Sequence, residues 1–166
     1  MRRAPLTVAA IAMSLVLAPA AEAKPRKVLT DPKGDYPAAG ADVVSATFDT
    51  VKKTKLVVTI EFAGAPSTPV PFAYQLRFTS DENCNWRGNY FGETFGSSGG
   101  CSTDDANPPT VTVKGNTLVY TMAAKGALKP GTELSLIAVS SSPGGALAGA
   151  PGGDAAATDM TYVVGS

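Results

Sequence analysis

The chain has 166 residues, 14 basic against 14 acidic side chains and no histidine. Without histidine it lacks the commonest general base and zinc ligand. Without net charge or a long basic run it has no electrostatic handle for nucleic acid or an anionic membrane.

The first 23 residues have the order of a secretory signal. Arg2 and Arg3 give a basic start, Leu6 to Leu17 is apolar, Pro19 breaks the run, and Ala21-Glu22-Ala23 is a small-x-small cleavage triplet. The apolar stretch is shorter than the roughly 20 residues a membrane-crossing helix needs. The chain is therefore expected to be exported, cleaved after Ala23 and secreted, with no membrane insertion after signal cleavage. Cleavage takes Arg2, Arg3 and Glu22 away and leaves 12 basic and 13 acidic residues. What remains has the size of one ordinary domain, here 41–166 behind a lead-in over 24–40.

The lead-in holds Pro25, Pro32, Gly34, Pro37 and Gly40 and reads as extended. From Asp42 to Val51, Val44, Ala46 and Phe48 alternate with Ser45, Thr47 and Asp49, the period-two pattern of a half-buried strand. A turn at Lys52-Lys53-Thr54 leads into Leu56, Val58, Ile60 and Phe62, which predicts a hairpin with one apolar face. After a proline-rich loop over 63–71, Phe72, Tyr74, Leu76 and Phe78 form the next strand. Further on, 110–114 and 117–122 flank Gly115-Asn116, a pair suited to a tight hairpin turn. A short helical turn or loop is expected over 125–131. The run from Glu133 to Ser140 is apolar on both faces and predicts a central strand covered from both sides. Residues 141–157, rich in Ser, Pro, Gly and Ala with Asp154 as the single charge, read as a flexible loop. Met160, Tyr162 and Val164 suggest a closing edge strand. Short strands separated by Gly/Pro turns, with no long helical period, predict an all-β, antiparallel β-sandwich of jelly-roll or immunoglobulin-like type.

Cys84 and Cys101 are the only cysteines. In an exported chain they are expected to bridge, closing a loop of about 18 residues worth on the order of 3 kcal/mol. Between them lie Trp86, Tyr90 and Phe91 among glycines and polar residues. Two roles are open to these aromatics: a ligand-binding platform on a pinned loop, or strand residues filling the core. Gly96-Ser97-Ser98-Gly99-Gly100 satisfies the Gly-x-Ser-x-Gly pattern of serine hydrolases, but without a histidine partner it reads as loop. Asp81 with Glu82, and Asp104 with Asp105, are the carboxylate pairs a glycosidase would need, yet such neighbours are common in solvated turns. No catalytic constellation emerges, and the chain is expected not to be an enzyme. Asp31, Asp35 and Asp42, spaced around Gly34, offer oxygen ligands of the kind calcium takes. The competing role for Asp31 and Asp35 is capping their own turn.

Asp31-Pro32-Lys33-Gly34-Asp35, followed by Asp42-Val43-Val44 entering an alternating strand, resembles the opening of secreted bacterial β-sandwich domains of the DOMON and family-9 carbohydrate-binding type. Leu128 to Leu134 is similar to the later step of those domains into a central strand, and Asp159 to Val164 to their terminal strand. The resemblance implies a two-sheet sandwich with a binding role, commonly for sugars and sometimes for haem. Haem would lack its usual histidine here, and Met122 and Met160 fit core positions. The expected function is a non-catalytic module binding extracellular polysaccharide or a similar ligand. The alternative is a structural or interaction domain that meets another secreted protein at the cell surface through an edge strand.

Overall fold

The computed structural model describes residues 24–66, 72–80, 84–91, 94–99, 109–143 and 153–166. The signal segment, Asp81, Glu82, Cys101, Asp104 and Asp105 lie outside them.

Among the described residues eleven strands follow in chain order: β1 (Arg26–Thr30), β2 (Val43–Val51), β3 (Lys55–Phe62), β4 (Phe72–Ser80), β5 (Cys84–Phe91), β6 (Thr94–Gly99), β7 (Thr110–Lys114), β8 (Thr117–Ala123), β9 (Glu133–Pro143), β10 (Ala155–Thr158) and β11 (Tyr162–Val163). One 3₁₀ turn, Gly126–Leu128, precedes β9. All pairings are antiparallel. A five-stranded sheet runs β1-β2-β3-β8-β7, and a six-stranded sheet runs β10-β9-β4-β5-β6 with β11 also on β9. The protein is an all-β sandwich.

Alternation explains both layers. In β3, Leu56, Val58, Ile60 and Phe62 are fully buried, and in β8 Leu118, Tyr120 and Met122 face the same way. A one-residue slip would turn either set outward, so burial fixes the register. The opposing sheet contributes Tyr74, Leu76, Phe78, Trp86, Leu134, Ile137 and Val139. Aromatic rings join the layers: Phe62 meets Tyr74 edge-on at 5.0 Å, and Phe48 meets Phe78 at 6.0 Å.

Four expectations need correction. The lead-in is not merely extended, because β1 pairs with β2 from Arg26↔Phe48 to Thr30↔Ser45 and buries Val28 and Leu29. Of the segment read as a flexible loop over 141–157, residues 144–152 lie outside the described residues, 141–143 end β9, and Ala155 to Ala157 belong to β10, whose Ala155 to Thr158 pair with Ser140 to Ile137. Small residues that cannot bury much area still complete a ladder when a neighbouring strand presents its edge. Met160 is exposed rather than in the core, while Met122 is buried. Finally, β9 is internal but not covered on both faces, since Leu136 is 68% exposed.

The cause is a β-bulge. The β4–β9 register shifts between Arg77↔Ala138 and Thr79↔Ser135, and Leu136 adopts a positive φ of 49°. The extra residue changes which parity points inward. Leu134 is therefore buried before the bulge, and Ile137 and Val139 after it. A left-handed conformation in a non-glycine residue costs about 1–2 kcal/mol.

The β2–β3 turn carries similar strain. Lys52 and Lys53 have φ of 50° and 55°, and Val51 accepts a hydrogen bond from the Thr54 amide at 3.1 Å. Asn-Gly is the pair that two positive φ values favour. The double substitution Lys52→Asn, Lys53→Gly is expected to stabilise the protein by about 1–2 kcal/mol. A rise in melting temperature followed by circular dichroism checks this; an unchanged or lower value counts against the strain account.

Candidate metal centre

The acidic cluster forms where the segment after β1, the start of β2 and the segment before β10 converge. Asp31 directly follows β1 and is anchored by its amide, which donates to the Val44 carbonyl at 2.8 Å. Gly34, with φ of 90°, turns the chain so that its amide donates to Asp42 Oδ2 at 2.7 Å. Asp42 itself is 1% exposed. Asp154 arrives from the other end of the chain. Its Oδ2 accepts from the Val43 amide at 2.6 Å, and its carbonyl accepts from the Ser141 amide at 2.8 Å. The approach is close enough that a Cβ at Gly153 would lie 2.1 Å from the Ser141 carbonyl oxygen. Ser141 in turn donates from Oγ to the Ala41 carbonyl.

These contacts bring one carboxylate oxygen each of Asp31, Asp35 and Asp154 within 4.8 Å of one another. That span suits a calcium ion, whose oxygen ligands lie at about 2.3–2.6 Å and so stand up to roughly 5 Å apart across it. Magnesium, with ligands near 2.0–2.1 Å, asks for a tighter and more regular shell. Asp42 adds a second observation. Its Oδ1 is buried and has no hydrogen-bond partner, which ordinarily costs about 1–3 kcal/mol or more for a charged group. A cation or its bound water beside the cluster would satisfy that oxygen.

The electrostatics point the same way. Burial, followed by the charges of Asp35, Asp154 and Asp42, raises the Asp31 carboxyl above the ordinary carboxylate range. Asp154 is also raised, first by burial and then by Asp35 and Asp42, although the amides of Val43 and Ala155 pull it down. The side-chain charges that shift these two groups, those of neighbouring aspartates, are all negative. A divalent cation would balance this set of negative charges.

Of the three aspartates read from the sequence, Asp31 and Asp35 enter the tight oxygen set, and Asp42 lies beside it with one oxygen committed to Gly34. Asp154 was missed. The signal available was a lone acid directly after Gly152-Gly153 in a stretch otherwise without charge.

The aromatic platform fares differently. Trp86 is only 8% exposed and stacks on Phe78 with ring centroids 4.8 Å apart and planes 12° from parallel. Both residues point inward, so the Trp86 ring is core and is not available as an exposed binding face. Gly88, one step along the same inward face, leaves the space the indole occupies: a Cβ there would lie 2.4 Å from Trp86 Cη2. Tyr90 and Phe91 pair in register with Tyr74 and Ala73, but their side chains lie outside what the structure describes, as does that of Cys84. Gly96 to Gly99 belong to β6 and not to a strand-to-helix elbow. No family model, curated protein or solved structure matches the chain, so the resemblance to DOMON and family-9 carbohydrate-binding domains rests on its short motifs alone.

Proposed function

We propose that the chain is an exported, non-catalytic binding module for extracellular carbohydrate or a similar ligand, whose sandwich is clasped by one calcium ion at Asp31, Asp35, Asp42 and Asp154. The observation that carries the calcium centre is the buried, unpartnered Asp42 Oδ1 beside three converging carboxylates. The ion would join the segment after β1 to the segment before β10, stapling parts of the chain that are far apart in sequence. A rigid sandwich suits display of a binding face, and the carbohydrate class follows from the resemblance of the opening motif.

Residues 24–166, stripped with chelator, are expected to take up one calcium per chain in a calorimetric titration, with magnesium much weaker. Calcium at 100 times its dissociation constant would add about 2.7 kcal/mol to stability. No heat of binding and no shift in melting temperature between excess calcium and chelator would remove the metal centre. Retention on a panel of insoluble polysaccharides tests the ligand class separately.

A second reading, docking of another secreted protein, is favoured by β7. This strand ends the five-stranded sheet, and its residues are largely exposed, Val113 among them. An edge of that kind offers unpaired backbone groups to an added strand. Recovery of a stoichiometric protein partner, with no retention on polysaccharide, would select it.

A further inference from the structure

The outer face of the six-stranded sheet carries a pair of cations with no carboxylate facing them among the described residues. Arg77 on β4 and Arg87 on β5 stand directly opposite one another in the antiparallel register, and both are exposed. Like charges in that position repel across the strands. Neither arginine has a carboxylate partner among the described residues, and their next neighbours in the sheet are Ala138 on β9 and Ser98 on β6, which bring no charge. Around them lies a shallow depression that also takes in Thr79, Asn85 and Leu136. Thr79 donates to Asn85 Oδ1 at 2.9 Å, which holds the Asn85 amide at the rim. Leu136 is the strained bulge residue, turned outward and 68% exposed.

This combination is a recognition surface with two kinds of chemistry. Two adjacent guanidinium groups present planar forks that match a carboxylate in bidentate geometry. Leu136 offers an apolar contact to the C–H face of a ring, and the Asn85 amide can reach a hydroxyl. Two cations are too few for nucleic acid or an anionic bilayer, whose binding draws on many basic contacts. We propose that this face binds a carboxylate-bearing polysaccharide, a polyuronate, with Arg77 and Arg87 clamping the sugar carboxylate and Leu136 against the ring. The proposal rests on the carbohydrate-binding reading and names its ligand class.

The test is affinity electrophoresis of residues 24–166 through gels containing polygalacturonate, fully methyl-esterified polygalacturonate, or dextran sulfate, with calcium held constant. Retardation is expected on polygalacturonate and is expected to be lost on its methyl ester. Arg77→Gln and Arg87→Gln are each expected to weaken binding roughly tenfold, and Arg77→Lys is expected not to restore it, because an ammonium cannot form the fork. Both exposed substitutions should leave the melting temperature unchanged or slightly raised, since a cross-strand repulsion is removed; this separates lost binding from lost folding. Retardation on the methyl ester that the glutamine variants do not alter would overturn the clamp and leave the carbohydrate reading standing. Equal retardation by dextran sulfate would overturn the carboxylate specificity, and no retardation by any of the three polymers would overturn the clamp, while retention on the insoluble polysaccharides decides the carbohydrate reading independently.

Discussion

Trp86→Ala is expected to destabilise the protein by about 3–5 kcal/mol, the cost of emptying a large aromatic site in a packed core. The indole sits in a row of rings that crosses the sandwich: Trp86 stacks on Phe78, Phe78 meets Phe48 edge-on, and Phe48 lies 5.4 Å from Tyr162. Phe48 belongs to the five-stranded sheet and the other three to its partner, so the row is a main tie between layers. Gly88 leaves open the space that the indole fills, so truncation to alanine empties that space. For a domain of this size the melting temperature should fall on the order of 10 °C. In the intact protein, tryptophan emission should be blue-shifted and protected from iodide. A variant of near-normal stability, or a readily quenched indole, would return Trp86 to the surface and revive the platform reading.

The alternation of β2, β3, β4 and β8 was legible because each has one wet face, so polarity reports orientation residue by residue. Leu136 shows where that reading stops. Leu134, Leu136 and Ala138 share a parity in sequence, and Ile137 with Val139 the other, which imitates a strand buried on both faces. The bulge at Leu136 moves the inward set from one parity to the other, and no periodicity records an inserted residue whose partner strand is far away in the chain. β10 fails for a related reason. Ala155-Ala156-Ala157-Thr158 has almost no pattern of its own, and its strand state comes from the exposed edge of β9.

The acidic centre divides along the same line. Asp31, Gly34, Asp35 and Asp42 are close in sequence, so their clustering around a turn was visible. Asp154 is 111 residues from the Val43 amide that it binds, and only the pairing of β10 with β9 carries it there. Local spacing can suggest a half-built ligand set; the remaining ligand depends on tertiary structure.

Asp154→Asn is expected to reverse its stability ranking against the parent protein according to calcium. Without metal, burial and the neighbouring carboxylates raise Asp31 and Asp154 above the ordinary carboxylate range. The folded state then holds protons more tightly than the unfolded one, so stability falls as pH rises from the ordinary range through the raised values, and the full cost is present at neutral pH. The asparagine keeps an oxygen to accept from the Val43 amide and removes one negative charge from the cluster. At pH 7 in chelator, the variant should therefore equal or exceed the parent, with a flatter stability–pH profile above about pH 4. Calcium changes the order, because the parent gains about 2.7 kcal/mol at 100 times the dissociation constant while the variant has lost an ionised ligand and gains far less. The parent's calcium gain should also shrink toward acid pH as protons compete for the same oxygens. Urea unfolding at pH 4.5 and pH 7, with calcium or with chelator, reads all four corners. Parallel behaviour of the two proteins in every condition would mean that Asp154 serves only as an acceptor for Val43 and that no cation is held there.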